Sequence, residues 1–486
     1  MLDDEKAALL KQAGETYSRG AFQRAREIWN NILEKDPANT DALAGYVNSS
    51  MQMSDTGRCS ELARRAFEIA PENQKLANIY VDTLITDQNQ QAAFDFAVEQ
   101  VKKFPDSTNL HVKIAHCRMG FGELEEARAD LWAAHESDAD AVSPLYFLVR
   151  IGDKRDFEEL APKVDKVWAK KDDFETSDQI MLCYTQATLS EKLGHYDKAW
   201  AAYTAGNDLQ SQLLLFDEAG FIETMNKNMK MFSKNAPPPA KESDPGGDLI
   251  FIVSLPRSGS TLTEQVIGSH SKVWPIGERA LVLESFNIWG AAPGQEALEK
   301  ARTHYRKAAY EIAGREIGED VMISDKSINN YFFVGFLRTL FPAAKFVHVV
   351  RSPLDAAISC YATPFGLNAL KWCCDLETIG RTFRRYQRAM KSWMRTERGD
   401  LFTFSYEGLT AAPEKTAREL VEFCGLEWEP GCLDFHKSKA QVSTASLVQV
   451  RQPIYQSAKG RSENFEAHLA PLKQVMGRAA SPDWYK

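Results

Sequence analysis

The residues best suited to chemistry begin with Pro256-Arg-Ser-Gly-Ser-Thr261, which follows the apolar run Leu249-Ile-Phe-Ile-Val-Ser-Leu255. The run is short and rich in β-branched residues, which predicts a buried central strand. After the turn, Leu262-Thr-Glu-Gln-Val-Ile267 resumes helical spacing. Strand, Gly/Ser turn and helix is the arrangement in which loop N–H groups and a helix N-terminus converge on an anion. Against the nucleotidase pattern G-x-x-x-x-G-K-[ST], Gly259 and Thr261 fit, while Ser254 replaces the first glycine and Ser260 the lysine. That lysine serves the outer phosphates of a triphosphate, so its absence argues against ATP or GTP. A second stretch, Phe346-Val-His-Val-Val-Arg351-Ser-Pro-Leu-Asp-Ala-Ala-Ile-Ser359, reads as a strand ending at an arginine and a helix with Pro353 in its first turn.

The loop Pro256–Thr261 resembles the 5′-phosphosulfate loop of sulfotransferases, which use 3′-phosphoadenosine-5′-phosphosulfate (PAPS) and release PAP. The second stretch strengthens the resemblance, because the two motifs stand in the family's order, about 90 residues apart, both at strand-to-helix turns. The resemblance implies that Arg257, Ser258, Gly259, Ser260 and Thr261 hold the 5′ end of the donor, and that Arg351 and Ser359 hold its 3′-phosphate. Arginine suits that task through its fixed fork of donors. Within that family the chain resembles the tyrosylprotein sulfotransferases and bacterial proteins that join tetratricopeptide repeats to such a domain. Residues 248–465 carry the match, and the repeats extend it for the bacterial group.

Further positions follow from the same resemblance. Glu278, in Ser269-His-Ser-Lys-Val-Trp-Pro-Ile-Gly-Glu-Arg279, matches the family's catalytic base. Lys326, in Ser324-Asp-Lys-Ser-Ile-Asn-Asn330, matches its lysine-bearing segment. Tyr406, in Tyr406-Glu-Gly-Leu409, matches a donor-contacting motif. Ser446 and Arg451 lie in a stretch resembling the loop that closes over the donor, with arginine where the animal enzymes carry lysine; Lys459 and Arg461 add candidate 3′-phosphate contacts. His270 could serve as a base, since cytosolic small-molecule sulfotransferases use histidine, but it stands at a helix end where histidine commonly caps carbonyls. The helically spaced run Arg381, Arg384, Arg385, Arg388 reads as a solvated face.

Sulfuryl transfer resembles phosphoryl transfer, an in-line displacement with charge spreading onto equatorial and leaving oxygens. A phenolic acceptor with pKa about 10 loses its proton poorly at neutral pH, and a carboxylate such as Glu278 can take it. The leaving 5′-phosphate needs preorganised donors, supplied by the N–H groups of residues 258–261, Arg257 and Lys326. The chemistry requires no metal. Tyrosine in a peptide, a glycan hydroxyl and a small phenol all suit a glutamate base. Two other classes compete: a nucleotide kinase or NTPase, and a catalytically inactive nucleotide-binding domain on a repeat scaffold.

The elements that must position these residues divide into two halves. Pro37, Pro71 and Pro105 recur every 34 residues, as do Ala25, Cys59, Ala93 and Ala127, with Trp29, Ala63, Ala97 and Leu131 four positions later. Thirty-four is the tetratricopeptide period. Small residues let paired helices approach, and proline ends the second helix of each pair. The period weakens at Ala139 and returns at Leu193–Tyr203, with a degenerate pair around Asp153–Lys171. The expectation is an all-α solenoid over residues 1–233, helical from about 3 to 230, a Pro/Gly-rich linker over 234–247, and an α/β sulfotransferase domain over 248–486. That domain should have a central parallel sheet, helices on both faces and its ligand at the carboxyl ends of the strands. Residues 285–320 should be largely helical. The solenoid's concave surface is a scaffold for a peptide or protein acceptor.

Composition closes off other classes. With 486 residues, 44 % hydrophobic and 26 % charged, the chain is globular, and its net charge of −9 advertises no nucleic-acid or anionic-membrane partner. The longest apolar runs fall far short of the roughly 20 residues that span a bilayer. The acidic start Met1-Leu-Asp-Asp-Glu-Lys6 does not read as a signal peptide. Eight cysteines without a C-x-x-C pair read as reduced thiols of a cytoplasmic protein.

Overall fold

The 34-residue step dictates the N-terminal architecture. A computed structural model describes residues 3–53, 57–213, 216–233, 246–365, 370–396, 398–435 and 460–486. Its first twelve α-helices are α1 (Asp3–Ser18), α2 (Phe22–Lys35), α3 (Thr40–Gln52), α4 (Cys59–Ile69), α5 (Gln74–Thr86), α6 (Gln90–Val101), α7 (Thr108–Phe121), α8 (Leu124–Ser137), α9 (Val142–Ile151), α10 (Lys154–Trp168), α11 (Thr176–Lys192) and α12 (Tyr196–Leu213). Ala25, Cys59, Ala93, Ala127 and Ala199 are all buried, as are Trp29, Ala63, Ala97, Leu131 and Tyr203. The three periodic prolines stand in the turns after α2, α4 and α6. Two residues beyond each, Asn39, Asn73 and Ser107 accept a backbone N–H of the helix that follows, a cap worth about 1 kcal/mol. The degenerate stretch forms one helix, α10, where a pair was expected, because Lys154–Trp168 runs on without a break; it opens with a capping box between Asp153 and Asp156. This unit also takes in residues 362–365 and 370–374, and Phe365 O accepts from Gln210 Nε2 at 2.7 Å.

The second unit contains α13 (Glu218–Ser233), β1 (Leu249–Val253), α14 (Ser260–Gly268), β2 (Val273–Gly277), α15 (Leu281–Ala291), α16 (Gln295–Ala313), β3 (Met322–Asp325), α17 (Asn330–Leu340), β4 (Lys345–Val350), α18 (Pro353–Tyr361), α19 (Leu376–Met394), β5 (Leu401–Ser405), α20 (Tyr406–Ala411), α21 (Pro413–Phe423) and α22 (Ala470–Met476). The strands form one sheet in the order β2-β3-β1-β4-β5, and every pairing is parallel. All five residues of β1 are buried, as a strand covered on both faces requires. Ile250 and Ile252 join Val266 of α14 and Leu420 of α21 in one cluster. Phe251 faces the other way, against Tyr305 of α16 and Phe341. The period-two alternation of a strand thus serves two helical layers.

The boundary expected at residue 233 falls one helix late, because α13 belongs to the second unit. Gly335 of α17 explains why it packs there: a Cβ at that position would collide with Phe232 and stand 2.9 Å from the Trp393 ring. Glu218 of α13 also accepts from Arg381 Nε at 2.8 Å and Arg385 Nη1 at 2.6 Å. Two members of the basic run therefore hold a carboxylate instead of solvent. The expected helical stretch over 285–320 is realised as the end of α15 and the whole of α16.

Candidate active site

Every strand of the sheet delivers a candidate residue just past its carboxyl end. The loop Arg257–Thr261 follows β1, Glu278 follows β2, Lys326 β3, Arg351 β4 and Tyr406 β5. Chain order reverses direction about β1, which has β3 on one side and β4 on the other. That crevice is where open α/β sheets bind ligands.

The loop after β1 is shaped by two left-handed residues, Arg257 at φ +64° and Gly259 at φ +103°. Such a backbone costs a non-glycine residue about 1–3 kcal/mol unless its surroundings over-determine it. Here they do. Arg257 Nε donates to Ser359 Oγ at 3.0 Å, and Arg257 O accepts from Arg351 Nη1 at 3.0 Å. The two motifs, separate in sequence, are one hydrogen-bonded structure. Gly259 is the N-cap of α14 and provides no side-chain cap, so the positive end of the helix suits an anion. The Tyr406 ring lies against that glycine, and the Arg351 guanidinium stands 5.0 Å from the ring centroid on a cation–π contact. Glu407 Oε1 accepts from Ser352 N at 2.9 Å and fixes the turn after Arg351.

Gly259 is the tightest point of this assembly. A Cβ there would stand 2.7 Å from Tyr406 Cδ2 on a backbone that disfavours side chains. Gly259→Ala is expected to destabilise the fold by about 1–3 kcal/mol and to weaken PAP binding by displacing the tyrosine. Melting curves with and without PAP check both, and unchanged values would show that the close approach is dispensable.

Glu278 and Lys326 meet because β2 and β3 are neighbours ending in register, Gly277 opposite Asp325. Lys326 N donates to Gly277 O at 3.2 Å, and Arg279 N to Ser327 Oγ at 3.1 Å. The side chains then pair, Lys326 Nζ to Glu278 Oε1 at 2.6 Å. The Lys326 side chain is wholly buried and that of Glu278 is 34 % exposed, so the carboxylate can reach an incoming acceptor. Burial works against the lysine's charge, but Glu278 and Glu264 outweigh it and raise its pKa above the usual value. Asp325 is buried and accepts from Tyr305 Oη, Asn330 Nδ2 and Ser327 N, each at 2.9 Å. These bonds hold the turn that aims Lys326.

Arg461 opens a 3₁₀ turn, Arg461–His468, tied to α18 by a residue the sequence reading passed over. Asp355, 2 % exposed, accepts from Gly460 N at 2.8 Å, Ser462 N at 2.9 Å and Ser462 Oγ at 2.7 Å. Arg461 is thereby docked at the helix that carries Ser359. An acidic residue in a helix's first turn is an ordinary sequence feature, so only the fold singles it out. Ser446, Arg451, Lys459 and most of the linker lie outside the described residues. His270 is engaged through both ring nitrogens: Nε2 donates to Glu427 O at 2.8 Å and Nδ1 accepts from Lys272 N at 3.1 Å. That pattern leaves neither nitrogen directed at an acceptor.

The fold and site define an α/β domain in which a Gly/Ser turn, a helix N-terminus and two arginines meet at the carboxyl edge of a parallel sheet. Residues 248–430 match the family model described as the Sulfotransferase family, so the second unit carries a sulfotransferase-family domain. An uncharacterized protein of Aquifex aeolicus (strain VF5) is 26 % identical over 491 residues, covering 96 % of this chain and 64 % of its own length. Protein-tyrosine sulfotransferase 1 of Danio rerio is 24 % identical over 230 residues, covering 43 % of this chain and 62 % of its own length. The chain therefore spans less than two thirds of either relative. Among solved structures, the sulfotransferase domain of the Synechococcus PCC 7002 olefin synthase is 18 % identical, with a TM-score of 0.31, covering 47 % of this chain and 98 % of that one.

Proposed function

We propose that the chain is a PAPS-dependent sulfotransferase acting on an acceptor hydroxyl, with peptide tyrosine the leading candidate. The residues present fit such a donor: the α14 N-terminus has no side-chain cap, and two arginines are bonded into the loop beside it. PAPS, when bound, supplies the sulfuryl group, and PAP is the product that leaves. The loop N–H groups of residues 258–261, Arg257 and Lys326 hold the 5′-phosphate oxygens and stabilise the charge that grows there as the S–O bond breaks. Arg351, Ser359 and Arg461 anchor the 3′-phosphate. Glu278 takes the proton of the acceptor hydroxyl while its oxygen bonds to sulfur. The single observation that carries this reading is the convergence of loop, carboxylate, lysine and arginine on one sheet edge, inside the segment that matches the family.

The solenoid serves this reaction by presenting the acceptor, raising its local concentration without altering the chemistry. Photo-crosslinkers on α5 and α7 of the full chain should capture the acceptor; capture only from the second unit would assign recruitment elsewhere. We place the protein in the cytoplasm, the compartment that keeps eight buried thiols reduced. No helix among the described residues is long and apolar enough to cross a membrane. Incubation of the full chain with labelled PAPS and a cell extract tests the function directly. The expected result is a labelled acceptor and stoichiometric PAP. PAP binding without label transfer would favour the inactive scaffold instead.

A further inference from the structure

The helix that follows the phosphate loop carries a carboxyl group that the proposed reaction does not use. Glu264 of α14 is 4 % exposed, in the middle of the segment Leu262-Thr-Glu-Gln-Val-Ile267. Its Oε2 stands 3.9 Å from Lys326 Nζ, on the buried side of the lysine, while Glu278 holds the same ammonium from the open side at 2.6 Å. Its other oxygen, Oε1, is buried without a hydrogen-bond partner. A buried carboxyl with one oxygen unsatisfied is costly.

We propose that Glu264 is a positioning residue of the site: it shares Lys326 with Glu278, so that the lysine keeps a carboxylate partner and its aim when Glu278 turns to the acceptor's proton. The inference rests on the sulfotransferase reading given above. In the resting site Lys326 is committed to Glu278 by a short charged hydrogen bond. As Glu278 takes up a proton it ceases to be an anion, and a wholly buried ammonium with no remaining counter-charge would be strongly disfavoured. Glu264 is the group placed to supply that counter-charge, and its distance allows the Nζ donors to turn toward the leaving oxygens. No group is consumed, and the proton on Glu278 returns to solvent through its exposed side.

The electrostatics agree with the geometry. Burial pushes the Glu264 carboxyl up to about 7; Glu278 and Asp325 add to the rise, while Lys326 and a hydrogen bond from the Gly277 N–H oppose it. The charged groups facing it are thus Glu278 from the end of β2 and Lys326 and Asp325 from the end of β3. β1 contributes none. From α21 and the turn Pro430–Leu433, Cys424 and Cys432 pack with Val266 and Ile267, and burial keeps both thiols neutral, pushed up to about 12 and about 11. His270 and Glu429 lie at the far end of the helix. Glu264 therefore ionises as pH rises through about 7, and the partner that Lys326 requires becomes available above that point.

Glu264→Gln preserves shape and removes the charge. PAP release from PAPS, with N-acetyltyrosinamide as acceptor and with water alone, gives the rate, and calorimetry gives the PAP affinity. The variant is expected to lose at least about tenfold in kcat, as loss of aim does, with PAP affinity and acceptor KM within a factor of about three. The parent's kcat should rise as pH passes about 7, and the variant should lack that rise. Glu264→Asp, which keeps a carboxylate, should recover the pH-dependent rise in part. Equal kcat in parent and Glu264→Gln overturns the inference alone. So does a loss in the variant that leaves the pH profile intact and follows a fall in melting temperature, because that is the mark of a merely structural role. A parent that binds PAP but releases none from PAPS overturns the transferase reading, and this inference with it.

Discussion

Glu278→Gln is expected to bind PAP as tightly as the parent and to lose about 10²-fold or more in turnover. The amide keeps the shape of the side chain and can still accept a hydrogen bond from Lys326, now 2.6 Å from the carboxylate. It cannot take a proton from an acceptor hydroxyl. Because Glu278 stands past β2, while the arginines and the loop stand past β1 and β4, the loop and arginine contacts to the donor are left untouched, and Lys326 keeps its hydrogen-bond partner. Single-turnover formation of PAP, set beside calorimetric PAP binding, separates the two effects. Undiminished turnover would remove Glu278 from the role of base. His270 is not its natural replacement, since its ring nitrogens are committed to Glu427 O and Lys272 N.

The second large effect is expected at Arg351. Arg351→Ala should weaken PAP binding by about 10- to 150-fold, the equivalent of a charge-assisted phosphate contact of roughly 1.5–3 kcal/mol. Two losses combine there. The guanidinium is a fork that can address phosphate oxygens, and its Nη1 also holds Arg257 O, so truncation loosens the strained loop as well. Arg351→Lys distinguishes the contributions: it keeps the charge but not the fork, and should recover part of the affinity. Calorimetry on both variants, with melting curves to establish that the fold survives, makes the comparison. Parental affinity in Arg351→Ala would show that the 3′-phosphate is held elsewhere.

The chemistry-bearing loops were legible because their signals are local. A glycine that can adopt φ +103°, a proline in the first turn of α18 and an apolar run before each turn are decided by forces acting over a few residues. The solenoid was legible for the same reason. A repeat writes the same small-residue and proline constraints at every step, and each unit packs only on its neighbours. The resemblance then assigned roles to Glu278, Lys326 and Arg351 that their residue types alone do not carry.

What the sequence determined by itself was therefore which residues stand at turns, and that the chain joins a helical array to an α/β domain. What only the tertiary structure decided was which turns meet. Glu278 and Lys326 are 48 residues apart, and they pair because the sheet places β2 beside β3, an order set by many weak long-range contacts that no single residue announces. Glu264 looks like an ordinary polar position of a helix until α14 is laid against that pair, and Asp355 until the segment at 460–462 closes on it. The same holds for α13, which reads as one more helix of the array but packs on Gly335 and binds Arg381 and Arg385 through Glu218. Helix formation is local, whereas the burial that chooses a partner for a helix face depends on surfaces formed by distant parts of the chain.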